Sequence, residues 1–400
     1  MDITCLPSSF NGKVRAISSK SYVHRLLICL ALAKNDVKIK YDSSADITAT
    51  KNCLDKLFLD DKVKVLDVGE SGSTLRFLLP LSLAVGGSYE FICHGKLLSR
   101  PISGLTDVLS THGAKIKIDD TIKASGKLTP GDYQIAGDVS SQYITGLLFA
   151  LSILNGKSTI TLTTKLTSKP YVDITLKLMQ DFGVNVIATT TGYEINGNAN
   201  YIAPKDIDVD GDWSNASFML VGGAISNKCT VTGLNLDSTQ GDKVILDVLK
   251  SAGAKVDINP DGITVQKDKL NAFTFDANDY PDAVPIVSVL ASACNGVSVI
   301  KNIQRLTLKE SDRVQSVLDM LSAVNIVAKR VDDDIVIKGG SPTGGVIDSY
   351  NDHRIVMSSA ILSLISNSSV KILGADAVNK SYPTFFEDFT FLGGKVKKDV

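Results

Sequence analysis

The residues of this chain able to do chemistry are mostly cations placed where helices begin. In SSKSYVHRLL (Ser18 to Leu27), Lys20, His24 and Arg25 fall in the first turns of an otherwise apolar helix. Comparable starts carry Arg76 in ESGSTLRF, Gln142 in SSQYITGL, Asp282 in YPDAVPIV and Arg354 in YNDHRIVM. A helix N-terminus presents unsatisfied N–H groups and the positive end of the macrodipole, so a cation attached to it makes an anion site. Plain capping explains any single start, but it asks only for a short polar side chain and does not account for the cations.

Four further stretches are polar in unusual ways. SKPYVDIT (Ser168 to Thr175) puts a serine, a lysine and a tyrosine before an amphipathic helix, as a phosphate-binding loop or an ordinary N-terminal turn would. LKESDRV (Leu308 to Val314) groups Lys309, Glu310, Asp312 and Arg313, and taken alone reads as a solvated helix face with local ion pairs. SRPI around Arg100 says little alone, and Lys380 in NKSYP reads as a surface lysine. No G-x-x-x-x-G-K-[ST] supports ATP-type phosphoryl transfer, and no serine nucleophile elbow occurs. His24, His94, His112 and His353 show no metal-ligand spacing. What remains is many cations and two carboxylates, Asp282 and Glu310.

The elements that position these residues repeat. Six stretches, beginning near Ser18, Glu70, Ser140, Gly211, Tyr280 and Tyr350, each start with Ser, Asp or Asn at an N-cap, continue with about a dozen apolar positions and end at Gly or Asn. Asp212, Asp282 and Asp352 recur at intervals of 70, as do Gly113, Gly183 and Gly253. The unit is an amphipathic helix ending near Gly, a strand, a loop, a buried helix and another strand; six of these, the first shortened, make the chain. Helices apolar nearly all round belong inside, wrapped by strands and outer helices.

At 400 residues the chain exceeds the usual size of one core, so two domains are expected. Lys+Arg (42) nearly equals Asp+Glu (43), which argues against nucleic acid or an anionic membrane as partner. Six scattered cysteines without a Cys-x-x-Cys pair read as buried cytosolic thiols. No apolar run reaches the length of a membrane span and Met1 leads straight into Asp2, so a cytoplasmic location is expected.

In this order, SKSYVHR, SGSTLR, SRPI, SSQ, SKPYVDIT, GDWSNAS, PDA, KESDR, YNDHR and NKSYP resemble the signature set of the 5-enolpyruvylshikimate-3-phosphate synthase family of enolpyruvyl transferases, from about Lys20 to Pro383. The resemblance implies an α/β fold of two similar domains, each of three βαβαββ-type repeats with buried helices, an inside-out α/β barrel. Residues 1–18 with 210–400 would form the lower domain and 19–209 the upper, with the active site in the interdomain cleft and closure on substrate binding. It implies transfer of the enolpyruvyl group of phosphoenolpyruvate to the 5-hydroxyl of shikimate 3-phosphate, releasing phosphate, in a monomer without metal or organic cofactor.

That chemistry accounts for the charge pattern. Each substrate carries a phosphate and a carboxylate, and two unit charges 4 Å apart repel by about 4 kcal/mol at an effective dielectric near 20. Six helix N-termini at roughly +0.5 each supply only about +3, so side-chain cations must do the rest.

Carried over residue by residue, the resemblance places Lys20 on both substrates, and Ser21 and Arg25 on shikimate 3-phosphate. Ser140, Ser141 and Ser168 would hold its phosphate with Gln142 and Tyr171 nearby, while Asp282 and Lys309 would meet its hydroxyls and carboxylate. Phosphoenolpyruvate would contact Lys20, Gly72, Arg100, Gln142, Arg313, Arg354 and Lys380, with Arg76 supporting the loop. Asp282 would be the base toward the hydroxyl and Glu310 the acid toward the methylene, with Lys20 assisting; His24 is left out. Cations around Glu310 favour its ionised form, so a proton there needs substrate charge to compensate.

Glu70, Ser73, Phe77, Arg305 and Thr307 depart from the family pattern, and Pro-Gly is missing before Lys20. None of these removes an expected substrate cation. Two rivals stand beside this reading. The sister enolpyruvyl transferase acting on UDP-N-acetylglucosamine carries a cysteine five residues before the arginine matching Arg100, where this chain has Gly95. A catalytically inactive anion-binding homologue would need the cations but not both carboxylates.

Overall fold

The computed structural model describes residues 1–35 and 37–398. The chain divides into two compact units, Met1–Ser19 with Asp210–Val400, and Lys20–Val209. Each has its own apolar core.

Strands β1 (Ile3–Leu6) and β2 (Asn11–Arg15) open the chain and belong to the first unit. The second unit begins with helices α1 (Lys20–Leu32) and α2 (Ala45–Leu57). It continues through β3 (Lys64–Gly69), α3 (Gly72–Val85), β4 (Gly87–Cys93), α4 (Ser103–Ser110), β5 (Ala114–Ile118) and β6 (Ile122–Gly126). The same βαβαββ order follows in β7 (Asp132–Ile135), α5 (Ser141–Ser152), β8 (Ser158–Leu162), α6 (Lys169–Asp181), β9 (Val186–Ala188) and β10 (Gly192–Ile195).

The sheets run β3-β4-β6-β5 and β7-β8-β10-β9. In each, the two strands flanking the buried helix pair parallel and the terminal hairpin antiparallel. Helices α3 and α5 are buried along almost their whole length, as their all-round apolar sequence requires. The first repeat is reduced to its two helices: among the described residues no strand forms between Leu32 and Ala45.

The other unit resumes at α7 (Trp213–Ser226), β11 (Lys228–Thr232), α8 (Ile245–Ala252), β12 (Lys255–Asn259) and β13 (Gly262–Gln266). Next come β14 (Thr274–Asp276), α9 (Val284–Ser292), β15 (Val297–Lys301), α10 (Arg313–Ser322), β16 (Ala328–Val331) and β17 (Asp334–Lys338). Last are β18 (Gly345–Asp348), α11 (His353–Ser363), β19 (Val370–Leu373), α12 (Phe385–Phe391) and β20 (Lys395–Lys398). Its sheets are β12-β13-β11-β2, β14-β15-β17-β16 and β18-β19-β1-β20, so the two N-terminal strands complete the first and last repeats. Residues 20–209 are therefore an excursion inside one repeat, between β2 and α7. The exit and re-entry strands hold each other: Ser19 N donates to Asp210 O (2.8 Å) and Asp212 N to Ile17 O (2.7 Å).

Four of the inner helix starts are capped as the sequence leads one to expect, with Ser71, Ser140, Asp212 and Asp352 accepting from N–H groups of the first turn. The fifth differs. Pro281–Ala283 form a 3₁₀ turn, α9 opens without a side-chain cap, and the Asp282 carboxylate goes to cations instead. Gly113, Gly183 and Gly253 all take positive φ where an outer helix ends and the chain turns into a strand. Cys5, Cys29, Cys53, Cys229 and Cys294 are buried free thiols and Cys93 is half-buried. Among the described residues no helix is long and apolar enough to cross a membrane.

Candidate active site

In the Lys20–Val209 unit the start of α1 is tied to three neighbouring helices. Lys20 Nζ meets Asp46 Oδ2 of α2 at 2.7 Å, with both side chains largely buried. Arg25, 2 % exposed, donates from Nε to Thr175 Oγ1 (2.7 Å), from Nη1 to Ser21 O (2.6 Å), and from Nη2 to Thr145 Oγ1 (3.3 Å) and Tyr171 O (2.9 Å). Among the described residues four of its five N–H bonds thus have protein acceptors, which locks its plane and leaves one for a ligand. Burial pulls its pKa down to about 9, which still leaves it charged at neutral pH. Tyr171 contributes its carbonyl here, joining the start of α6 to Arg25. Ser168 just before it is buried in the left-handed region (φ 53°) and makes no side-chain cap.

His24 is buried and its pKa lies well below the ordinary value because of burial, with Lys20 and Arg25 adding to the effect. A neutral ring is therefore held in a chain of hydroxyls: Nδ1 to Thr50 Oγ1 (2.6 Å), Thr50 to Thr74 (2.6 Å), Thr74 to Ser71 Oγ (2.7 Å). That chain sets α1 and α2 against the cap of α3, a structural use of the residue.

The start of α3 carries the second group. Gly72 is its first residue, and a Cβ there would lie 2.9 Å from Arg100 Nη1 and against Arg76 Nη1. Only glycine lets the two guanidinium groups cover this helix start. Arg76 is spent on scaffolding, donating to Gln142 Oε1 (3.2 Å) and Pro101 O (3.0 Å). Pro101 O also accepts from Tyr143 OH (2.6 Å), which fixes the turn bearing Arg100. Gln142 Nε2 donates to Ser73 Oγ (2.9 Å), so α5 and α3 are joined at their first turns. Ser140 caps α5 through Gln142 N (3.3 Å), and Ser141 is buried behind it.

The Asp210–Val400 unit brings together the largest charge cluster. Arg313, 1 % exposed, donates from Nη1 to Asp282 (2.6 Å), from Nη2 to Glu310 (2.7 Å) and from Nε to Asp352 (2.8 Å). Asp282 also faces Lys309 Nζ (3.3 Å) and Arg354 Nη2 (3.3 Å). Burial alone would raise the Asp282 pKa, but Arg354, Lys309 and Arg313 outweigh it and hold the carboxyl well below its ordinary range. Arg313 is pushed the other way: burial would lower it, and Asp352, Glu310 and Asp282 raise it well above the normal value. Burial lowers the Lys309 pKa against the pull of Asp282.

Asp352 is wholly buried and serves two elements, capping α11 through Arg354 N (2.9 Å) while holding Arg313. Lys380 Nζ donates to Asn351 O (2.6 Å), one of two consecutive non-glycine residues at positive φ (Tyr350 52°, Asn351 57°).

The solvated-face reading of LKESDRV does not survive. Its arginine is buried, and beside the local pair with Glu310 its partners come from 31 and 39 residues away. The candidate residues form two gatherings within their own units: Lys20, Ser21, Arg25, Gly72, Arg100, Ser140, Ser141, Gln142, Ser168 and Tyr171 in one, and Asp282, Lys309, Glu310, Arg313, Arg354 and Lys380 in the other. Asp46 was not found from sequence and nothing in its local pattern marks it; Ser73 and Ser214 lie within SGSTLR and GDWSNAS but were given no role there. Asp352 had a signal, its place in the 70-residue register.

Comparison with known proteins follows the same lines. A family model described as EPSP synthase (3-phosphoshikimate 1-carboxyvinyltransferase) matches residues 58–389. A 3-phosphoshikimate 1-carboxyvinyltransferase of Clostridium novyi is 36 % identical over 427 residues, covering 98 % of each chain. One of Brachyspira hyodysenteriae is 38 % identical, covering 99 % of this chain and 100 % of its own. The solved EPSP synthase from Acinetobacter baumannii superposes with a TM-score of 0.79 at 21 % identity over the full length of both chains, a likeness of fold. With five βαβαββ repeats and a helical sixth, cations at the helix starts and relatives matched end to end, the chain belongs to the EPSP synthase (3-phosphoshikimate 1-carboxyvinyltransferase) family.

Proposed function

We propose that both gatherings act on one pair of substrates, transferring the enolpyruvyl group of phosphoenolpyruvate to the 5-hydroxyl of shikimate 3-phosphate. The observation carrying this reading is that Asp282 and Glu310 share one buried guanidinium, Arg313, at 2.6 and 2.7 Å. An anion-binding protein without chemistry would need the cations, and Asp352 already supplies a buried counter-charge to Arg313 without the other two carboxylates.

In the addition, the 5-hydroxyl oxygen bonds to the central carbon of phosphoenolpyruvate, its proton passes to Asp282, and Glu310 delivers a proton to the methylene. In the elimination, the new methyl returns a proton to Glu310, the carbon–carbon double bond re-forms, and phosphate leaves with the proton held by Asp282. Asp282 with three cations around it is a weak base. When substrate phosphate and carboxylate draw Arg354 and Lys309 toward themselves, the Asp282 pKa rises toward the strength a base needs. Lys20, Gly72, Arg100, Gln142, Arg313, Arg354 and Lys380 hold phosphoenolpyruvate. Ser21, Arg25, Ser140, Ser141, Gln142, Ser168, Tyr171 and Lys309 join Lys20 and Asp282 on shikimate 3-phosphate.

The UDP-N-acetylglucosamine alternative is not favoured. Gly95, at φ +57°, stands where that enzyme carries its cysteine, and the relatives matched end to end are 3-phosphoshikimate 1-carboxyvinyltransferases.

Purified protein given both substrates should release phosphate well above the rate with either alone; equal rates would remove the reaction. Gly72→Ala should push the Arg100 guanidinium away from the α3 start and raise the KM for phosphoenolpyruvate roughly tenfold, an effect of about 1.4 kcal/mol, with the KM for shikimate 3-phosphate nearly unchanged. Steady-state kinetics in both substrates checks this, and a parallel rise of the two constants would count against the placement of Arg100.

A further inference from the structure

Arg354 is held by more than the acidic cluster. Its Nη1 donates to Ser214 Oγ at 2.8 Å, a shorter contact than those to Asp282 O (3.2 Å) or Asp282 Oδ2 (3.3 Å). A guanidinium has no acceptor, so Ser214 must accept there, and its one hydroxyl proton goes to Asp242 Oδ1 at 3.0 Å. Asp242 is buried, 4 % exposed, in the 3₁₀ turn Gly241–Val244 that precedes α8. A carboxylate drawing on that proton makes Ser214 Oγ a stronger acceptor toward the cation.

The loop bearing Asp242 is anchored without this bond. Gln240 accepts from Trp213 N (3.2 Å) and donates to Gly211 O (2.9 Å), Trp213 Nε1 donates to Asn235 O (3.0 Å), and Lys243 Nζ donates to Leu236 O (2.6 Å). The loop thus has anchors besides the Asp242–Ser214 bond, and that bond continues through Ser214 Oγ to Arg354.

We propose that Asp242 is a positioning residue, acting through the Ser214 hydroxyl to fix the Arg354 guanidinium for phosphoenolpyruvate; this rests on the assignment of Arg354 above. The reason for a second anchor is chemical. Asp282 changes its protonation during the reaction as written, so its hold on Arg354 varies, whereas Asp242 and Ser214 exchange no proton with substrate and keep the cation in place throughout.

The test is a kinetic split with a structural control. Ser214→Ala should raise the KM for phosphoenolpyruvate roughly tenfold, leave that for shikimate 3-phosphate within about twofold, and hardly move the thermal midpoint. Ser214→Thr, which keeps the hydroxyl, should restore most of the loss. Asp242→Asn should raise the same KM and add nothing further in the Ser214→Ala background, since both act through one chain. An unchanged phosphoenolpyruvate KM in Ser214→Ala, a joint rise of both constants, or full additivity would overturn the inference. Wild-type protein releasing no phosphate would instead overturn the reaction. The crystal structure of Ser214→Ala then decides this point alone: a displaced Arg354 guanidinium supports the link and an unmoved one refutes it.

Discussion

Replacing Arg313 with methionine should destabilise the Asp210–Val400 unit by about 3–5 kcal/mol, the range seen when one partner of a buried ion pair is removed. The cause is what is left behind. Asp352, wholly buried, and Asp282 and Glu310, about a fifth to a quarter exposed, would share a site from which the central cation has gone. For a unit of this size the thermal midpoint should fall by roughly 10 °C or more.

The pH dependence gives a second check. Arg313, with Arg354 and Lys309, holds the folded pKa of Asp282 below its unfolded value. The associated stability is complete above the unfolded value, near 4, and is lost as pH falls through the depressed folded value. Methionine at 313 raises the folded value, so the variant loses less on acidification. The deficit should be largest near neutrality and narrow as pH drops below about 4. Arg313→Lys should recover part of the stability but little turnover, because an ammonium cannot reproduce the fork that reaches three carboxylates. A methionine variant within about 1 kcal/mol of wild type at pH 7, by denaturant titration, would show that the three carboxylates do not depend on this cation.

What the sequence made legible follows from how local each signal is. Ser71, Ser140, Asp212 and Asp352 cap their helices through N–H groups two or three residues ahead, so polar residue and apolar run suffice to place them. Asp282 has the same register, yet its carboxylate leaves the backbone for Arg313, 31 residues away, and Arg354, 72 away. Pro281 and Pro285 help by opening the helix with a 3₁₀ turn. The choice between a cap and an ion pair depends on the fold, and no window around PDA contains it.

The first repeat, expected to be shortened, keeps only its two helices among the described residues. Val37–Tyr41 alternates apolar and polar residues as a strand does, but a strand exists only through its partner, and these residues lie outside all five sheets. Ion partners such as Asp46 for Lys20 are equally invisible, since an acidic residue in the first turn of α2 reads simply as a complement to the helix dipole. Cations could be read as functional because three of the six repeated helix starts carry Lys20 with Arg25, Arg76 and Arg354, which capping alone does not require. Their arrangement into two scaffolded gatherings, with Arg76 and Asp352 as supports, came from the structure.

Asp282→Asn should lower kcat by a factor of about 10²–10⁴, the span associated with loss of a positioned acid or base, without weakening shikimate 3-phosphate binding. The amide keeps the size and one acceptor oxygen, so the hydroxyl can still be located. It cannot take the proton, and Lys309 and Arg354, each 3.3 Å from the carboxylate, lose their counter-charge. Those cations should then hold anionic substrates at least as tightly, so the defect should appear in turnover rather than in KM. The depressed pKa sets a further condition. With the free carboxyl ionised well below its ordinary range, an acid limb of kcat/KM above about pH 4 cannot come from Asp282 in the free enzyme and should persist in a slow Asn variant. Glu310→Gln should show a comparable fall in kcat through the methylene proton, and the double variant should be little worse than either single one, because both serve the same step. Turnover of Asp282→Asn within tenfold of wild type would leave the carboxylate a mere tether for Arg313, and the base would have to be sought among the substrate's own phosphate oxygens.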